Sequence, residues 1–241
     1  MPVVFVHGVP DTKSVWRPVA GHLERKDVLA LSLPGFGAPL PAGFEPTKDG
    51  YAGWLLGELR GIEGPIDLAG HDWGSMLVVR AVSVAPGIAR SWCGGGAPID
   101  PDYIWHDTAQ AWQTPGRGEQ MMAQITPALM KANLVAQGQP SDMAADSAAA
   151  FDDTMKACIL SLYRSAVTVG REWLDDLARI TAPGLVLWGD GDPFARPEFG
   201  EKLAARTRAQ FAKIENSGHW YQAQQARQTA ELLQRFWACV A

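Results

Sequence analysis

The chain has 241 residues, of which 47% are hydrophobic and 20% are charged, and its formal net charge at pH 7 is −5. This composition is typical of globular enzymes and predicts one large α/β domain, or one domain with an inserted lobe. The charges are scattered without a basic patch, which argues against a nucleic-acid partner. No apolar run approaches the length of a membrane span, which argues against a membrane partner.

The cysteines and the start of the chain bear on the compartment. Cys93, Cys158 and Cys239 are widely spaced, in a pattern that fits neither a metal site nor a disulfide framework. The chain starts almost directly with an apolar run and lacks the pattern of a signal peptide. We therefore expect a cytoplasmic protein.

The first 98 residues alternate between short apolar runs and helical patterns. The predicted strands cover residues 3–6, 27–33, 66–69 and 90–93. The predicted helices cover residues 13–24, 49–60 and 75–85. Such alternation predicts a mostly parallel, doubly wound sheet with helices on both faces.

This rhythm stops at residue 99, and residues 99–169 contain no convincing strand but many apolar residues at helical spacing. The segment is predicted to be a helical cap inserted into the sheet domain. Alternation resumes with strands at 185–188 and 210–214 and helices at 198–206 and 224–237. The core domain therefore comprises residues 1–98 and 170–241.

The most specific motif is Gly70-His71-Asp72-Trp73-Gly74, at the end of a predicted strand. Flanking glycines allow a sharp turn between strand and helix that presents one side chain. The Asp72 carboxylate is ionised at neutral pH, because aspartate has a reference pKa of about 4. It suits displacement at a saturated carbon better than attack on an amide. The alternative is that Asp72 only caps the following helix.

Another strand end carries His7-Gly8-Val9-Pro10. The carboxyl ends of parallel strands meet at one edge of the sheet, so this turn is expected to lie beside Asp72. The backbone N–H groups of Val9 and Trp73 would then converge to form an oxyanion hole. Taken alone, the tetrapeptide indicates only a turn.

Two later strand ends carry an acid and a histidine. In Trp188-Gly189-Asp190-Gly191-Asp192-Pro193, both Asp190 and Asp192 are candidates to orient an imidazole, unless this is a solvated turn. His219 follows the last strand and could take a proton from water. Otherwise it is an exposed loop histidine. The order Asp72, Asp192, His219, each after a strand, is the order of nucleophile, acid and base in the α/β-hydrolase layout.

These motifs identify a family resemblance that covers nearly the whole chain. The chain resembles α/β-hydrolase-fold epoxide hydrolases, with haloalkane and haloacetate dehalogenases as near relatives. The resemblance implies that Asp72 is the nucleophile, Asp192 the acid, His219 the base, and the amides of Val9 and Trp73 the oxyanion hole. It also implies a small apolar electrophilic substrate, a covalent ester on the aspartate, and no metal or cofactor.

Epoxide hydrolases hold the epoxide oxygen with two cap tyrosines, and only one of them has a clear match here. Tyr163, in Leu162-Tyr163-Arg164-Ser165, matches the first. The second lies a few residues before a Gln-x-Pro-Gly pattern, which here leads to Thr108. Tyr103 lies nearby, so a shifted loop would bring it into the pocket.

The dehalogenase alternative relies on ring N–H groups that hold the departing halide. The candidates for that role, and for lining the substrate pocket with Tyr103, are Trp73, Trp105, His106 and Trp112. Haloacetate enzymes carry arginines just after the nucleophile, whereas this chain reads Trp73-Gly74-Ser75-Met76, which disfavours a carboxylate substrate. His71 matches the epoxide hydrolases.

The resemblance also raises questions about the start of the sheet. Family members usually have two further strands before the one at Val3, so we expect an N-terminally truncated sheet. An exposed edge near Val3 would favour a homo-oligomer contact. A third hypothesis, of another class, is a non-catalytic, receptor-like member that binds a small apolar ligand under the cap.

Overall fold

The structure is a computed structural model that describes residues 1–240. Six parallel strands form one sheet in the order β2-β1-β3-β4-β5-β6. The strands are β1 (Val3–Val6), β2 (Val28–Leu31), β3 (Asp67–Gly70), β4 (Ser91–Gly94), β5 (Gly184–Gly189) and β6 (Gln210–Ile214). Each predicted strand is present with bounds shifted by at most two residues.

Twelve α-helices in the described part of the chain connect and cover these strands. Those before β4 or after β5, all of them outside the cap segment (residues 99–169), are α1 (Arg17–His22), α2 (Lys48–Arg60), α3 (Trp73–Val84), α10 (Pro197–Thr207), α11 (Tyr221–Gln224) and α12 (Ala226–Cys239). The others lie between β4 and β5 and are α4 (Asp107–Gln113), α5 (Arg117–Gln124), α6 (Pro127–Ala136), α7 (Ser141–Ala150), α8 (Asp153–Ser165) and α9 (Val169–Glu172). None of the helices within residues 1–240 is long and apolar enough to cross a membrane.

Burial along the strands follows their place in the sheet. β1, β3, β4 and β5 are buried along their whole length, as expected for parallel strands covered on both faces. β2 and β6 are partly exposed because each has a neighbour on one side only.

The expectation of a sheet edge at Val3 is wrong. Val3 pairs with Val28 of β2 on one side and with Asp67 of β3 on the other. The chain returns through α1 and places β2 outside β1, so β2 forms the edge and Leu29 is exposed there. An exposed edge at Val3 was the reason to expect an oligomer contact there, and that reason does not hold.

Hydrogen bonds, two of them buried, fix the turn between α6 and α7 to the sheet domain. The Gln139 side-chain amide donates to the Asp11 carboxylate at 2.6 Å, and the Trp220 indole donates to the same carboxylate at 3.1 Å. The Gln224 amide donates to the carbonyl oxygen of Gly138 at 2.7 Å. These bonds connect the cap segment to the loop that carries His219.

Candidate active site

Asp72 occupies a strained turn between β3 and α3. Its φ of 54° and ψ of −126° are unusual for a residue other than glycine. Gly74 is needed beside it, because a Cβ there would lie 2.2 Å from the Val6 carbonyl oxygen. The Asp72 side chain makes no capping bond to α3, and its Oδ1 instead accepts from the Val9 backbone N–H at 2.8 Å. The helix-cap alternative does not describe this aspartate.

The turn after β1 is held by His7. The His7 Nε2 accepts from the Leu33 backbone N–H at 3.0 Å, while Nδ1 donates to the Gly8 carbonyl oxygen at 2.8 Å. Burial lowers the pKa of His7 to about 4, so the ring stays neutral in this tautomer. The turn thereby directs the Val9 N–H at Asp72, and the backbone N–H of Trp73 lies near enough to the carboxylate to favour its charged form.

His219 lies between two carboxylates. Its Nδ1 is 3.0 Å from Oδ2 of Asp192, and its Nε2 is 3.7 Å from Oδ2 of Asp72. Burial opposes a charge on the imidazole, but Asp192, Asp72 and the nearby Asp11 outweigh it and raise the pKa of His219 to about 9. In the free protein the ring is therefore protonated at neutral pH.

The two candidate acids have separate roles. Asp192 is buried, and its other carboxylate oxygen accepts from the backbone N–H groups of Phe194 and Ala195 at 2.8 and 3.2 Å. Asp190 is exposed and accepts from the backbone N–H groups of Asn216 and Ser217. Asp190 thus holds the loop before His219, and Asp192 contacts the imidazole.

Burial and the nearby hydrogen-bond donors have opposite effects on the pKa of Asp72. Burial raises the pKa of Asp72 above its ordinary value. The positive charge of His219 and the N–H groups of Val9 and Trp73 act in the opposite direction and favour the carboxylate. The arrangement is that of a desolvated anion beside an imidazolium.

Sequence reasoning missed Asp11, which lies one residue after the Val9-Pro10 turn. Its side chain is 1% exposed and accepts from Gln139 and Trp220. Burial and the charge of Asp72 raise its pKa to about 6. Its neighbours come from distant parts of the chain, so no local pattern marks it.

A cavity lies above Asp72 and His219, between the sheet and the cap segment, and the space within it and its mouth, which is open to solvent, amounts to about 910 Å³. Its walls are mostly apolar and include Trp112, Met121, Ile125, Met130, Leu134 and Phe194. No lysine or arginine lies among the lining residues in the part of the chain that the structure describes. The cavity therefore suits a neutral, largely apolar ligand.

The structure places all the predicted cap residues, Tyr103, Trp105, His106, Trp112 and Tyr163, in the wall of this cavity. Thr108, where the pattern puts the second tyrosine, also lines it. Tyr103 does not supply the missing hydroxyl, because its OH donates to the Phe194 carbonyl oxygen at 3.1 Å. His106 accepts from the Ala109 N–H as the cap of α4, and burial lowers its pKa to about 4.

Tyr163 packs inside an aromatic cluster. Its ring centroid lies 4.9 Å from Trp112, 5.4 Å from Trp105 and 5.6 Å from Trp73. Burial and the charge of Asp72 raise the pKa of Tyr163 well above its ordinary value. The hydroxyl therefore stays protonated and is a hydrogen-bond donor at any working pH.

Comparison with known proteins supports the same fold. An epoxide hydrolase of Caballeronia sordidicola is 25% identical over 97% of this chain and 86% of its own length. A thermophilic esterase from Thermogutta terrifontis superposes with a TM-score of 0.81 at 19% identity, over 100% of this chain and 90% of that one. A loop variant of a haloalkane dehalogenase from Bradyrhizobium elkanii does so with a TM-score of 0.76 at 20% identity, over 100% and 91%.

The model of the alpha/beta hydrolase family matches residues 3–232, which is nearly the whole chain. The parallel sheet, the turn after β3 and the later acid and histidine agree with that match. The chain is a hydrolase-type enzyme that belongs to the alpha/beta hydrolase family.

Proposed function

We propose that the protein is an epoxide hydrolase that opens a neutral, largely apolar epoxide to a vicinal diol. The observation that supports this is an aspartate, not a serine, at the turn after β3, bonded to the Val9 N–H at 2.8 Å and 3.7 Å from His219. The similarity to a curated epoxide hydrolase over 97% of the chain agrees with it.

In the first step the Asp72 carboxylate attacks an epoxide carbon. A carbon–oxygen ester bond forms and the strained carbon–oxygen bond of the ring breaks. Tyr163 donates its proton to the oxygen that leaves the carbon, and the proton of His219 then passes to the tyrosinate through the cavity that both residues line. The product of this step is a hydroxyalkyl ester with a neutral histidine.

Ester formation prepares the second step by changing the charge of the site. Asp72 is one of the anions that raise the pKa of His219, and the ester is uncharged. The pKa of the imidazole therefore falls, and His219, oriented by Asp192, takes a proton from water. Hydroxide adds to the ester carbonyl, and the N–H groups of Val9 and Trp73 stabilise the oxyanion. Collapse releases the alkoxide, which takes the proton of the regenerated acid to give the diol.

Dehalogenation by the same nucleophile is the second candidate. It is favoured by the Trp112 indole, which lines the cavity and whose Nε1 is buried without a hydrogen-bond partner among residues 1–240. A haloacid is disfavoured, because the cavity wall described above contains no lysine or arginine to hold a carboxylate.

The test is a single turnover of a terminal epoxide in ¹⁸O-labelled water, followed by mass spectrometry of the peptide that contains Asp72. We expect label in the Asp72 carboxylate after this single turnover and none in the diol that it releases. His219→Gln should accumulate an ester on Asp72, visible as a mass increase equal to that of the epoxide. Halide release from haloalkanes, measured in parallel, separates the two reactions.

The matched controls are the two loop aspartates. Asp192→Asn should slow ester hydrolysis by at least about 10²-fold. Asp190→Asn should slow it far less, because Asp190 does not contact the imidazole and the variant keeps one acceptor oxygen for the loop. A diol that carries the label in the first turnover would exclude the covalent mechanism. Binding of apolar ligands with no turnover of epoxides or haloalkanes would support the receptor-like alternative.

A further inference from the structure

A second cleft, of about 590 Å³ including the part open to solvent, lies beside the active-site cavity. It is bounded by the two segments that join the cap segment to the sheet domain, near Pro101 on one side and Val167–Arg171 on the other. Its walls combine apolar side chains, including Val167 and Val169, with Thr168 and the charged Asp100 and Arg171. The Asp100 carboxylate is neutralised by ion pairs with Arg206 and Lys202. The cleft takes no part in the mechanism proposed above.

The two spaces have three lining residues in common, which are Pro98, Tyr103 and Trp105. Tyr103 is fixed in place, since its hydroxyl donates to the Phe194 carbonyl oxygen and its ring packs edge-on against Phe199. Pro98 offers only a small ring. Two large side chains, Tyr103 and Trp105, therefore lie between the cavity and the cleft, and of the two only Tyr103 is held by a side-chain hydrogen bond.

Contacts with other aromatic rings hold the Trp105 indole. It stacks on Trp73 at 6.1 Å with an angle of 17° between the planes, and it meets Tyr163 and Tyr103 edge-on at 5.4 and 5.3 Å. Trp105 is half-buried and lies in a stretch without helix or strand. Because Trp73 follows Asp72 directly, the Trp105 indole that stacks on it lies between the cleft and the space next to the nucleophile.

We propose that Trp105 is a partition that determines substrate length, and that the second cleft is a subsite for an alkyl arm of a neutral substrate that the indole keeps closed. This inference rests on the proposed function for its substrate class. Removal of the indole would join the cleft to the cavity and let a chain attached to the reacting carbon extend between Pro98 and Val169.

The test is a homologous series of straight-chain 1,2-epoxyalkanes with wild-type protein and Trp105→Ala. For wild type, kcat/KM should rise with chain length and then fall once the cavity is filled. For Trp105→Ala the rise should continue, with KM about 4-fold lower for each further buried methylene. Ile104→Ala is the matched control, because Ile104 is 80% exposed and lines neither space. It should keep the wild-type profile.

A second variant tests the cleft itself. Val167 is 53% exposed and lines only the cleft, so Val167→Trp in the Trp105→Ala background should refill the cleft and restore the wild-type length preference. Trp105→Leu, which keeps apolar bulk beside Trp73, replaces Trp105→Ala if the alanine variant does not fold. An unchanged length profile in a folded Trp105 variant overturns the proposal, as does a new preference that Val167→Trp leaves intact.

Binding of unreactive n-alkyl amides by calorimetry separates this proposal from the proposed function. If Trp105→Ala shifts the preferred amide chain length but neither protein turns over an epoxide, the role of Trp105 as a partition stands and the proposed epoxide hydrolase activity is rejected. If both proteins turn over epoxides with the same dependence on chain length, the epoxide hydrolase activity stands and the role of Trp105 as a partition is rejected.

Discussion

Two tyrosines in the wall of the cavity differ in what their hydroxyl groups contact. The Tyr103 hydroxyl donates to the Phe194 carbonyl oxygen at 3.1 Å, whereas Tyr163 interacts with the Trp73 side chain and stays protonated beside Asp72. Only Tyr163 therefore has a hydroxyl proton available to a ligand above the nucleophile.

We expect Tyr163→Phe to lower kcat for an epoxide by about 10²-fold, because the departing oxygen loses its proton donor. Tyr103→Phe should leave kcat near the wild-type value, since it removes a bond to the backbone only. Steady-state kinetics of both variants, with ligand binding as a check on the cavity, tests this. Equal losses of kcat in the two variants would contradict the role given to Tyr163.

Some site residues could be predicted from local sequence patterns, and others could not. Asp72 and His219 lie in motifs whose local pattern indicates their place at strand ends. The residues alone left Asp190 and Asp192 open as the acid, and the family resemblance implied Asp192. In the structure the Asp192 carboxylate lies 3.0 Å from the imidazole of His219, 27 residues further on. Asp11 had no local pattern at all, because its donors Gln139 and Trp220 are 128 and 209 residues away.

At the scale of elements, the turn after β1 and the turn after β3 fit against each other closely. A Cβ on Gly8 would lie 2.2 Å from Oδ1 of Asp72 and 2.5 Å from its Cβ. No side chain fits between the turn and the carboxylate, so the position of the carboxylate depends on a glycine in the neighbouring turn.

Gly8→Ala is accordingly expected to reduce kcat/KM by about 10²-fold or more, because the carboxylate or the Val9 amide has to move by roughly 1 Å. Gly21→Ala is the matched control, since a Cβ there meets nothing within 4 Å and Gly21 lies in α1. That variant should keep wild-type kinetics and gain up to about 1 kcal/mol in the free energy of unfolding. Enzyme kinetics and denaturant unfolding on both variants make the comparison. Wild-type activity in Gly8→Ala would show that the contact is not needed.

The strands were predictable because buried parallel strands are short apolar runs between turn residues. Their lateral order was not, and the error at Val3 shows why. The apolar pattern of β1 predicts that the strand is buried, but it does not predict which strand lies on each side. β2 pairs with the outer side of β1, and no local sequence pattern indicates this pairing. The bounds of α4 to α8 were likewise left open, because these helices are short and depend on packing.

At the scale of the whole molecule, His219 connects the active site to the pH dependence of stability. Its pKa is about 9 in the folded protein and 6.5 in the reference state, so the folded state binds the proton more tightly. The resulting contribution is fully present below pH 6.5 and is lost as the pH rises through 9.

The free energy of unfolding should therefore fall by on the order of 3 kcal/mol across this interval through His219 alone. His219→Gln should remove that part of the decline, so the difference in stability between wild type and variant should shrink as the pH rises. Urea unfolding at a series of pH values measures it. A difference that stays constant or grows with pH would mean that the imidazole is not the proton-binding group.

The hydrogen bonds of the turn between α6 and α7 couple local unfolding of this turn to unfolding of the loop that carries His219. Both neighbours of His219 in the chain are tied to that turn. Trp220 shares Asp11 with Gln139, and Gln224 accepts from the Gly218 N–H while it donates to Gly138. Local unfolding of the turn therefore exposes a buried carboxylate and releases the histidine loop, so hydrogen exchange in the two segments should be cooperative.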